Sequence, residues 1–222
     1  MTSTQKKLFF LSLFTIVGFI SLQIPFNKLA GSNVSFTLFD FFAPIAGAFL
    51  GPVFGIGSVL AVEVGNMLIK GSPWTTGTII RLFPTLFAVY YFAKINKKTS
   101  GNPYILVVPF IAIFAFLAHQ YGREVAPYTL FWIIPFIAYR FRSNLFMRGL
   151  GATFTAHSVG GAAWIWAFNL KPAVWQSLIP VVIAERLLFG AGIAASFIVV
   201  KHTLSFLASK KILPHLNPIV SS

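Results

Sequence analysis

From Leu8 to Leu207 the chain is a succession of long apolar runs, separated by short joints that carry its prolines and most of its charges. A helix needs about 20 apolar residues to cross a hydrocarbon core of about 30 Å. Within such a core only a segment that satisfies its own backbone hydrogen bonds is stable, so each run reads as a helix. The joints divide the chain into eight segments, at 8–26, 37–50, 53–69, 77–94, 104–119, 128–140, 149–169 and 178–205. The expected fold is therefore all-α: a polytopic membrane helical bundle of about eight crossings (six to eight). It forms a single integral membrane domain over 1–222, with 206–222 as a short cytoplasmic tail. Leu8–Phe26 follows Lys6 and Lys7 but lacks a small-residue cleavage site, so it is expected to be retained as the first helix.

Composition supports this reading: charged residues make up 9% of the chain, against about 25% in soluble domains. Cysteine is absent, which excludes a disulfide framework, a thiolate metal site and a thiol nucleophile. The net charge of +13 invites a nucleic-acid partner, yet the basic residues are scattered among the joints and no soluble element exists to carry a binding face. Basicity here records topology. With the N-terminus inside, the inner joints hold eleven basic residues, Lys6, Lys7, Lys94, Lys97, Lys98, Arg140, Arg142, Arg148, Lys201, Lys210 and Lys211. The outer joints hold four, Lys28, Lys70, Arg123 and Lys171, as expected for an N-in, C-in chain with an even number of crossings.

That topology places the rare residues on one side. All five tryptophans and all four acids fall on the outer half, with Glu63 and Glu185 inside apolar runs. Aromatic belts occupy both interfaces, so a one-sided set of aromatic and acidic residues points to a recessed site that opens outward. Intramembrane ionisable residues face a bundle interior or cavity and find partners there. The candidate site residues are Glu63, Asn66, Arg81, His157, Trp164 and Glu185. Arg81 is the expected counter-charge of Glu63. Glu63 and Asn66 share a helix face with Lys70; Gly149, Thr153, His157 and Gly161 form a stripe with Trp164 near it and Trp166 turned away. A histidine in such a stripe more often serves packing than ligation. Glu185 and Arg186 point about 100° apart on a helix and are not expected both to pair and to line one spot. The roles of Arg186, Asp40, Trp74, Trp166 and His119 stay open.

Small residues recur every fourth position: Ala43, Gly47, Gly51 and Gly55, then Gly57, Ala61 and Gly65, and in the last run Gly190 with Ala194. Such faces allow close helix approach, either within the bundle or to a separate membrane subunit. No phosphate-binding loop is present, and neither a metal nor a cofactor is expected.

The segment FDFFAPIAGAFLGPVFGIGSVLAVEVGNMLI, followed by TIIRLFPTLFAVYYFAKINKK, resembles the substrate-binding membrane subunits (S components) of energy-coupling factor (ECF) vitamin transporters, and LIPVVIAERLLFGAGIAASFIVVK is similar in style to their last helix. The resemblance implies a multi-pass plasma-membrane protein of a prokaryote that captures a vitamin-like nutrient near the outer surface. It also implies partners: a transmembrane coupling subunit and ATP-hydrolysing subunits in trans. Such proteins are not enzymes. Two features depart from the family pattern: eight runs where six helices are usual, and no A-x-x-x-A signature in Leu8–Phe26. The alternatives are an envelope scaffold with partner surfaces but no pocket, and an intramembrane enzyme using His157 and Glu185 as acid and base.

Overall fold

The computed structural model describes residues 3–28, 35–95 and 102–216. They form eight α-helices: α1 (Ser3–Leu22), α2 (Phe39–Ile69), α3 (Thr76–Lys94), α4 (Val107–Ala118), α5 (Gln120–Glu124), α6 (Ile134–Arg140), α7 (Leu145–Phe168) and α8 (Pro172–Ser209). Two 3-10 stretches, Pro103–Leu106 and Ala126–Ile133, precede α4 and α6. Four helices are long and apolar enough to cross a membrane: α1, α2, α3 and α8.

The count of eight arises from a different partition than the joints suggest. The second and third runs form the single element α2, bent sharply at Gly51, whose φ of 81° is open to glycine at little cost. The bend is a fold-back: a Cβ added to Gly55 would lie 2.8 Å from the Cα of Gly47, eight positions earlier. Pro52 follows directly and cannot continue the first half's hydrogen-bond ladder. The run 128–140 is not one α-helix either, because Ala126–Ile133 winds as 3-10 before α6 begins. α8 runs on to Ser209, into the stretch expected to be tail. A two-stranded antiparallel ribbon, β1 (Pro25–Lys28) with β2 (Ser35–Thr37), joins α1 to α2, an addition to the expected all-helical pattern. Lys97 and Lys98 lie outside the described residues.

Helix ends follow local chemistry. Thr75 caps α3 reciprocally with Thr78: Thr78 N donates to Thr75 Oγ1 at 3.2 Å, and Thr75 N donates to Thr78 Oγ1 at 2.8 Å. Asn144 caps α7 by accepting from Met147 N at 3.2 Å, and Asn169 ends it in a left-handed conformation, φ 49°.

α2 packs against α1, α3 and α8, while α7 packs against α3, α4, α6 and α8. One cluster, with Phe14, Phe42, Phe49, Phe92 and Phe197, joins α1, α2, α3 and α8; another, with Phe116, Trp132, Phe154 and Trp175, joins α4, α7, the 3-10 stretch and α8. The small residues divide by role. Gly47 lies so close to the Val89 carbonyl of α3 that a Cβ would collide, and Gly149 meets Gly190 in the same way between α7 and α8. Gly57 and Gly65 pack against nothing: no described atom lies within 4 Å of a Cβ placed on either. The packing face expected at Gly57, Ala61 and Gly65 is thus an open face in the monomer.

Candidate functional site

The helices bring their polar residues to one end of the bundle, around a cavity of about 620 Å³. Its volume falls within the range of about 300–1,000 Å³ typical of small-molecule sites. α2 contributes from both of its ends, Asp40 from its start and Glu63 and Asn66 from its finish. α3 gives Arg81 and Thr85 from its first half, α7 gives Thr153, His157 and Trp164, and α8 gives Trp175, Glu185 and Arg186 from its first half. The fold-back at Gly51 is what returns Glu63 to the level of Asp40. Lys6 of α1, Lys94 of α3, Arg148 of α7 and Lys201 of α8 sit at the opposite ends of their helices.

All six candidate residues, Glu63, Asn66, Arg81, His157, Trp164 and Glu185, line this cavity. Asp40 and Arg186 line it as well, whereas Trp74 and Trp166 are 55% and 57% exposed and His119 stands apart from the lining. Trp166 Nε1 instead donates to the Ala115 carbonyl at 2.8 Å, tying α7 to α4.

Two expectations about charge pairing are corrected. Glu63 forms no ion pair with Arg81 among the described residues; Arg81 acts on it only at longer range, and Thr85 supplies the hydrogen bond to its carboxyl. Its Oε2 is buried and has no hydrogen-bond partner among the described residues. Glu185 and Arg186, by contrast, do pair, with Arg186 Nη2 3.6 Å from Glu185 Oε2 and side chains only 12% and 8% exposed. Both also line the cavity. The long Arg186 side chain overcomes the angular offset: Nη1 donates to Thr153 Oγ1 at 3.0 Å, and the guanidinium lies over the Phe189 ring, 4.5 Å from its centroid.

His157 is held at both nitrogens. Trp132 Nε1 donates to Nδ1 at 3.1 Å, and Nε2 lies 3.1 Å from the Tyr128 hydroxyl. An indole N–H only donates, so Nδ1 accepts, the ring is neutral and its proton sits on Nε2, directed at the Tyr128 oxygen. The Tyr128 O–H is then free to donate into the cavity. His157 therefore sets the hydroxyl of Tyr128, and the outward-facing donor is the tyrosine. Trp132→Phe leaves buried Nδ1 without a donor and is expected to cost about 1–3 kcal/mol of stability, measurable as a lowered unfolding midpoint in detergent; an unchanged midpoint would show that the bond contributes nothing.

Among the lining residues that sequence reasoning missed are Thr85, Tyr128 and Trp175. Tyr128 lies in the 3-10 stretch amid other aromatics, with no spacing that ties it to His157. Trp175, expected in an outer loop, is 3% exposed in the first turn of α8, where its Nε1 donates to the Leu170 carbonyl at 3.2 Å. A comparison with known proteins finds no family model, no curated protein and no solved structure that matches this chain.

Proposed function

We propose that this protein is the substrate-binding membrane subunit of an energy-coupled uptake transporter, and that it captures a small planar, vitamin-like nutrient in the cavity. One observation carries the reading: the polar residues of an otherwise apolar bundle, drawn from α2, α3, α7, α8 and the 3-10 stretch, gather around a single space. In a chain with four acids, three of them, Asp40, Glu63 and Glu185, lie in that lining. Uncompensated polar groups in an apolar bundle are costly, so such gathering has a functional cause by default. The part-exposed ring of Trp164 suits a planar ligand, with a few polar groups to orient it.

In this reading the cavity faces outward and the basic helix ends face the cytoplasm of a prokaryotic cell, with N-in, C-in topology. Coupling and ATP hydrolysis belong to partner subunits, and the protein performs binding without chemistry.

The test is mass spectrometry of small molecules released from gently purified protein. A single small aromatic or heterocyclic compound, recovered at near-stoichiometric amount and lost on Trp164→Ala, is expected. Protein that carries no compound from nutrient-replete cells would overturn the reading and favour a scaffold.

A further inference from the structure

We propose that the ligand carries a positive charge on a planar, nitrogen-bearing group, and that Glu63 is the carboxylate that receives it; the inference rests on the binding-subunit reading above. Five ionisable side chains line the cavity, three acids (Asp40, Glu63, Glu185) and two bases (Arg81, Arg186), so with all five ionised its formal charge is −1. His157 adds nothing, because its Nδ1 is an acceptor.

The arginines and acids are not equally available. Arg186 is committed through its terminal nitrogens, to Glu185 at 3.6 Å and to Thr153 at 3.0 Å, and its guanidinium lies over the faces of Phe36 and Phe189, which leaves its buried Nε alone without a partner among the described residues. Asp40 Oδ2 accepts from Thr37 N at 2.8 Å and lies 3.4 Å from Thr37 Oγ1. Glu63 has the Thr85 hydrogen bond alone, and its Oε2 exposes less than 1 Å² while lacking any donor. A buried acceptor left in that state costs about 1–3 kcal/mol, and more when it is charged. The terminal carboxyl torsion of a glutamate is soft, so a small turn presents this oxygen to the cavity that Glu63 lines.

Ligand charge then decides what each class meets. A cation with N–H groups supplies both the missing donor and the missing charge, and the part-exposed ring of Trp164 attracts it further. A neutral planar ligand gains the stacking alone. An anion would have to strip Arg186 from Glu185, or rest on Arg81 in the field of Asp40 and Glu63. The protein's overall charge of +13 does not bear on this, since its basic residues lie largely at the other helix ends.

The experiment uses three probes of one shape and different charge: benzamidine (cation), benzamide (neutral) and benzoate (anion), titrated by calorimetry into the full chain in nanodiscs. Benzamidine is expected to bind at least tenfold more tightly than benzamide, and benzoate most weakly. Glu63→Gln is expected to abolish the preference for benzamidine over benzamide. The inference is overturned if benzoate equals or exceeds benzamidine, if Glu63→Gln keeps the cation preference, or if none of the probes binds. The wild-type ranking decides the matter even if the variant fails to fold. The binding-subunit reading fails separately: a neutral or anionic compound released from the purified protein would sink the cation while sparing that reading, whereas no released compound and no bound probe would sink both.

Discussion

Arg186→Met is expected to destabilise the protein by about 3–5 kcal/mol, the cost of leaving one member of a buried ion pair behind. The abandoned partner is Glu185, whose side chain is 8% exposed and whose ion pair with Arg186 spans 3.6 Å. Thr153 also loses its 3.0 Å donor, and Phe189 loses the guanidinium over its ring. Glu185→Leu alone should do similar harm by stranding the arginine. The double variant separates pairing from packing. Because an apolar replacement of a whole buried pair is often neutral or stabilising, Glu185→Leu with Arg186→Met should return to within about 1 kcal/mol of the wild type. Unfolding midpoints of the four proteins in one detergent give the coupling free energy directly. If the double variant is as unstable as the worse single one, the residues act through packing rather than through their charges, and the assigned pair is wrong.

The same pair marks a limit of sequence reasoning. Angular offset on a helix wheel describes where a Cβ points, and it served well for Glu63 with Asn66 and for Thr153 with His157, whose short reach keeps them near that direction. Arg186 has enough rotatable bonds to bring its guanidinium back to Glu185, so the wheel misjudged it. Apolar runs located α3 and α7 to within a few residues, because each is closed by residues with a local mechanism: Thr75 and Asn144 at the starts, Asn169 at the end of α7. The sharpness of the bend at Gly51 was not legible. Gly51 with Pro52 announces a break, but how far the halves close depends on Gly47 and Gly55 meeting, which is a tertiary fact. Nor could spacing reveal that Trp132, Tyr128 and His157 form one hydrogen-bonded set, since nothing local links a 3-10 stretch to α7.

Gly47→Leu and Gly57→Leu are the same substitution in one helical element, and they are expected to differ sharply in stability. Both gain the same helix propensity, so that contribution cancels. At Gly47 the new side chain meets the Val89 carbonyl of α3 and the Ala93 and Val89 side chains, and a backbone atom cannot yield as a flexible side chain can. Overpacking commonly costs about 1–3 kcal/mol, and this site should reach or exceed the upper end. Gly57 has no described atom within 4 Å of an added Cβ, so its variant should stay within about 0.5 kcal/mol of the wild type in the isolated protein. Thermal unfolding in nanodiscs reads both, and equal midpoints would mean that α2 does not pack on α3 as described. The milder Gly55→Ala tests what the fold-back does for the cavity. Its Cβ would sit 2.8 Å from Gly47 Cα, forcing the two halves apart while leaving the identity of every lining residue unchanged. Asp40 stands on one half and Glu63 on the other, so that separation should weaken binding of the cavity's ligand more than it lowers the unfolding midpoint; a variant that lost stability and kept full affinity would show that the bend shapes the bundle without setting the site.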